Sequence, residues 1–188
     1  MSVNTNKQPS RLNKRGPFLY QFLAAKHLGE RMMSLHEMGS MLKNSEIECP
    51  PHIYSCGTIV AYPGRDTAFP QGVMKGVSND GVKWNIEVPA GIAGGKGMIM
   101  LIDPANYELF IEGDNVRIDF VDVAVRKVSE NQKMLFTHLG LPYHLMHYGE
   151  GAHIGPVHVG HFDDSDELLV LTFLNGLSYE SYTVGGRQ

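Results

Sequence analysis

Apolar residues recur at spacings of three and four from Phe18 to Leu42: Phe18, Phe22, Ala25, Leu28, Met32, Leu35, Met38 and Leu42. That spacing places them on one face of a helix. Pro17 suits the first turn, where a missing N–H costs nothing. The pattern therefore predicts one long amphipathic helix of about 25 residues at the amino-terminal end. Gly29 and Gly39 each weaken it by roughly 1 kcal/mol relative to Ala, with Gly39 the expected point of any break.

After Pro50-Pro51 the period changes from helical to strand-like. Tyr54–Tyr62 is rich in β-formers and stops at Pro63-Gly64. Asn79-Asp80-Gly81 reads as a tight hairpin between Val73–Val77 and Val82–Val88. In the second of these, Val82, Trp84, Ile86 and Val88 alternate with Lys83, Asn85 and Glu87, the mark of a strand with one buried and one wet face. Further strands are expected at Met98–Ile102, at Tyr107–Ile111 and over Val116–Phe120. At Phe120-Val121 the alternation skips a residue, which predicts a bulge or a corner. Ser129 and Gln132 have the spacing of a capping box, so a short inserted helix is expected there, stopped by Gly140 and Pro142. Strands return at Ile154–Phe162, Glu167–Leu174 and Leu177–Val184.

The fold class this implies is α+β: mainly antiparallel sheet or sandwich, one long N-terminal amphipathic helix and one short inserted helix. The 188 residues are 43% apolar and 19% charged, which suits a globular chain and excludes a largely disordered one. The length fits one domain, residues 17–188, preceded by a polar, aperiodic and flexible arm at residues 1–16.

Charge sharpens the picture of the arm. Lys7, Arg11, Lys14 and Arg15 give residues 1–16 a charge of +4 with no acid, leaving 12 basic against 20 acidic groups in the body. A basic arm on an acidic body is the electrostatic pattern of a polyanion binder, with RNA, DNA or an anionic membrane surface as partner. No apolar run is long enough for a transmembrane segment, and no secretory signal opens the chain. A cytoplasmic or intracellular setting, or a virion, is expected. Cys49 and Cys56 are the only cysteines, and their spacing of seven fits neither a zinc knuckle nor a redox pair. They are expected to be reduced thiols.

Three motifs are candidates for chemistry. The loop at 89–97 contains Gly95-Lys96, but Gly97 stands where a phosphate-binding loop needs Ser or Thr. No nucleophile elbow surrounds Ser55, and nothing in the spacing brings Cys56 to a histidine. Six of the nine histidines, His138, His144, His147, His153, His158 and His161, fall within 24 residues. Imidazoles with a carboxylate can hold zinc or another transition metal, and His153, His158 and His161 with Glu150 are the candidate set. His158 and His161 are three apart, so a regular strand would aim them to opposite sides.

The leading expectation is a non-enzymatic structural or assembly protein without a cofactor. Its β-rich core, contact helix and basic arm resemble, in layout only, viral matrix and coat proteins. Leu19, Leu23, Met33 and Met41 lie off the main apolar stripe and are the candidate self-association surface of a homo-oligomer. The alternative is a metal-binding protein or metal-dependent enzyme that uses the histidine cluster.

Overall fold

A computed structural model describes residues 14–44, 54–78, 81–121, 126–129, 133–136, 141–148, 151–161, 168–173, 180–183 and 185–187. The chain is mostly β-sheet with two helices, so the broad α+β reading holds, while the single long helix does not. Strand β1 (Lys14–Pro17) leads into α1 (Phe18–His27), and α2 (Leu35–Lys43) follows only after a short strand, β2 (Glu30–Met32). The break falls at Gly29, whose φ of 67° lies in the left-handed region that glycine enters without strain. Through Gly39, by contrast, α2 runs unbroken.

The apolar spacing survives the break because it serves two cores. Phe18, Ala25 and Met32 enter one core, and Leu35 and Met38 enter another. A capping box starts α2. The Ser34 N–H donates to Glu37 Oε2 at 2.8 Å, and the Glu37 N–H donates to Ser34 Oγ at 3.3 Å.

From Tyr54 to Thr183 the described strands move between two sheets, and Gly185–Arg187 pairs with β2 in a separate two-stranded sheet. Strand β3 (Tyr54–Tyr62) belongs to the larger one. The hairpin of β4 (Gly72–Val77) and β5 (Lys83–Val88) belongs to the smaller, with Gly81 at φ 85° in its turn. Then β6 (Met98–Ile102) returns to the larger sheet, and the hairpin of β7 (Tyr107–Glu112) and β8 (Asn115–Phe120) goes to the smaller. The four-stranded sheet has the order β4-β5-β8-β7. Strand β9 (Arg126–Ser129) pairs with β6 in the larger sheet, so the irregularity at Phe120-Val121 marks a corner where the chain changes sheets.

The remaining strands are β10 (Lys133–Phe136), β11 (Leu141–Tyr148), β12 (His153–His161), β13 (Leu168–Phe173), β14 (Glu180–Thr183) and β15 (Gly185–Arg187). The nine-stranded sheet runs β1-β14-β3-β12-β13-β11-β10, with β6 and β9 joined through β3. Most pairings are antiparallel; β11 with β13, β14 with β3, and β5 with β8 are parallel. The inserted helix expected after Ser129 is absent from the described residues there. Lys133–Phe136 is a strand paired with Leu141–His144, a tertiary pairing that overrides the local helix signal.

Every residue of β3 is buried, because the strand is covered on both faces and paired on both edges. Ile59 and Ala61 point into the core between the two sheets, with Trp84, Ile86, Leu109 and Ile118 from the smaller sheet. Cys56, Val60 and Tyr62 point into the core on the other face, beneath Leu35 and Met38 of α2.

Candidate functional site

The densest group of buried polar side chains sits where β3 loses register with β12. Pro156 lies opposite Ile59, but His158 lies opposite Ser55, so Cys56, Gly57 and Thr58 face the single residue Val157. The extra residues bend the strand and redirect its groups. Gly57 takes the tightest contact: its N–H donates to the Met33 carbonyl at 2.6 Å, and the Tyr107 hydroxyl donates to its carbonyl at 2.7 Å. Next to it, the Thr58 hydroxyl donates to Asp103 Oδ1 at 2.6 Å and accepts the Leu35 N–H at 2.7 Å, which ties α2 to the sheet. Ser55 Oγ and His158 Nδ1 are 3.0 Å apart, and both residues are fully buried.

Burial decides what these groups can do. It pushes the Cys56 thiol up to about 12, and the thiol is directed at the Val157 carbonyl, 3.4 Å away. Burial, with Cys56 and Asp103 nearby, holds the Tyr107 phenol well above its ordinary value. Burial lowers His158 from 6.5 to about 4. At neutral pH these three groups are therefore a thiol, a phenol and a neutral imidazole, enclosed by core residues. The serine–histidine pair has the atoms of a nucleophile and base, and both side chains are fully buried. The arrangement fastens β2 and α2 to the large sheet. On the outer side, Arg31 clasps Glu37 with both guanidinium nitrogens. Burial works to raise the Glu37 carboxyl, but hydrogen bonds from Arg31 and Ser34 outweigh it and hold the carboxyl below its usual range.

Of the histidine set, the described side chains are His153 and His158, and these two do not converge. His153 and His158 stand five residues apart on β12. His153 packs on the Tyr62 ring, with centroids 5.5 Å apart, on the α2 side of the sheet. His158 meets Ser55 on the opposite face, as strand alternation requires. His161 ends β12, and Glu150 lies outside the described residues. Among the described residues no three His, Cys, Asp or Glu side chains are grouped to hold a metal ion.

Of the basic arm, Lys7 and Arg11 lie outside the described residues. Lys14 and Arg15 belong to β1, opposite Thr183 and Tyr182 of β14. Of the self-association set, Met33 and Met41 are partly buried against the second core and Leu19 against the first. Leu23 is 46% exposed.

That exposure belongs to an unusual helix face. Phe18, Gln21 and Ala25 of α1 point inward, and Phe22 stacks on Tyr107 with centroids 5.9 Å apart. Gln21 is only 3% exposed, while Tyr20 is 76% exposed and Leu28, just past the helix, 51%. Tyr20, Leu23 and His27 follow at spacings of three and four, on the side away from the core. Sequence reasoning marked Leu23 but not Tyr20. The signal was available, because seven of the first eight residues of α1 are apolar or aromatic, and a helix segment of that kind is normally covered all round.

No protein-family model matches the chain, and neither a curated protein nor a solved structure matches it.

Proposed function

We propose that this is a structural protein that works by assembling. It self-associates through the outward face of α1, and its basic amino-terminal residues contact a polyanion. The observation that carries the reading is the outward face of α1, which presents Tyr20 and Leu23 to the outside while Phe18, Gln21 and Ala25 are buried. Covering a large apolar side chain is worth roughly 1.5–3 kcal/mol, so a face of this kind is a source of association energy. The enclosed state of Cys56, Tyr107 and His158 supports a scaffold role, since each serves the packing of the sheet.

Two substitutions on different surfaces test this. Leu23→Glu is expected to lower the sedimenting mass while leaving the circular dichroism spectrum unchanged. Met33→Glu, which puts a charge against the second core, is expected to lower thermal stability instead. Equal effects of both on mass, or none of Leu23→Glu, would overturn the assignment to α1. For the arm, removal of residues 2–12 leaves β1 in place and takes away Lys7 and Arg11. It should weaken binding to both single-stranded RNA and anionic vesicles, or to the one that is the partner. Unchanged affinity for both removes the polyanion part.

A further inference from the structure

A second surface stands apart from α1. Strand β4 is an edge of the four-stranded sheet, and among the described residues no strand pairs with its outer side. An open edge presents unpaired N–H and C=O groups, a template for one more strand. Its outward face is apolar at both ends and basic in the middle. Val73 is 58% exposed, Val77 is 61% exposed, and Lys75 lies between them. Lys75 and Val77 also wall a shallow groove with Lys83, Asn85 and Asn115, over a floor of Gly76 and Trp84. Among the described residues, no acidic side chain lines it. The acids of this face among the described residues lie away from Lys75: Glu87 opposite Val73, Asp119 3.0 Å from Arg117, and Glu108 and Glu112 on β7, opposite Asp119 and Asn115.

The same layout argues against a second copy of β4 as the occupant. A two-fold antiparallel pairing that sets Val73 against Val77 sets Lys75 against Lys75, and like charges directly opposite are destabilising. An edge lysine is a common device against such self-pairing.

We infer that β4 is a docking edge for an extended acidic segment of a partner protein, which adds a fifth strand to the small sheet. The incoming strand places an acidic side chain opposite Lys75 and apolar side chains opposite Val73 and Val77. Backbone bonds supply the pairing and the alternate side chains the selectivity. The inference does not depend on the role of α1. The chain carries its own reporter, because its one tryptophan lies against this strand. A Cβ at Gly76 would overlap the Trp84 indole, so that edge and that ring move together.

The probe is a short capped peptide in which valine, glutamate and valine alternate with threonine. A second peptide carries lysine in place of the glutamate. Binding is read from Trp84 fluorescence and from backbone amide shifts across β4. The glutamate peptide should bind about fivefold or more tightly than the lysine peptide, the difference expected from one opposed charge pair. Lys75→Glu, an exposed change, should reverse that order. Added salt should narrow the gap. No shift at β4 with the glutamate peptide would overturn the proposal. So would equal affinity for the two peptides, or β4 amide shifts that track protein concentration without peptide, which would mean self-pairing.

Discussion

Acidification should destabilise the fold through His158 by an amount that its burial sets. The imidazole is fully buried, 3.0 Å from Ser55 Oγ, and its pKa is lowered from 6.5 to about 4. The unfolded chain therefore binds this proton more readily than the folded one. The stabilising contribution is complete above the unfolded pKa and is lost as pH falls from about 6.5 toward 4. At 1.36 kcal/mol per unit, a fall from about pH 7 to pH 5 removes roughly 2 kcal/mol. The assay is urea unfolding at both pH values and one fixed protein concentration, since assembly contributes to apparent stability. His158→Asn supplies the control: it offers Ser55 a polar partner and cannot titrate. The other histidines contribute equally to both proteins, so the difference between their pH losses isolates His158. Wild type should lose about 2 kcal/mol more than the variant. Equal losses would refute the claim that His158 is held neutral by burial.

Two more predictions concern the joint between β2, α2 and β3. Gly57→Ala places a methyl 2.8 Å from Met32 Cβ and 3.1 Å from both the Met32 carbonyl oxygen and Pro104 Cβ. None of those atoms can swing away, so a loss at the upper end of the 1–3 kcal/mol typical of overpacking is expected in urea unfolding, and a neutral variant would contradict the close approach of Met32 to Gly57. Ser34→Ala removes the cap of α2 and should cost about 1 kcal/mol, read from the same unfolding curves; no change would mean that the cap contributes nothing.

Much of the sheet was legible because its cause is local. Trp84, Ile86 and Val88 alternate with wet positions, and the structure buries them together. The β-formers of Tyr54–Tyr62, with no charged residue among them, foretold a strand, and burial of both its faces is the reason that no charge is present. The single helix was misread because spacings of three and four continue through Gly29 by serving two separate cores. The local signals that define the break, a glycine followed by Ser34 and Glu37 at capping-box spacing, were present but weaker than the periodicity. Lys133–Phe136 failed for a different reason, since its partner strand and not its own sequence decides its state. The Ser55–His158 contact joins residues 103 apart, and no local pattern encodes it. The histidine cluster shows the converse. Sequence proximity suggested convergence, but one strand sends His153 and His158 to opposite faces.

If α1 is the assembly surface, its outward face is covered by another molecule of this chain. Sedimentation equilibrium of the wild-type protein across a wide concentration range measures this without any variant. The average mass should rise above the 20.8 kDa of one chain as concentration increases. A mass that stays at 20.8 kDa throughout would contradict it.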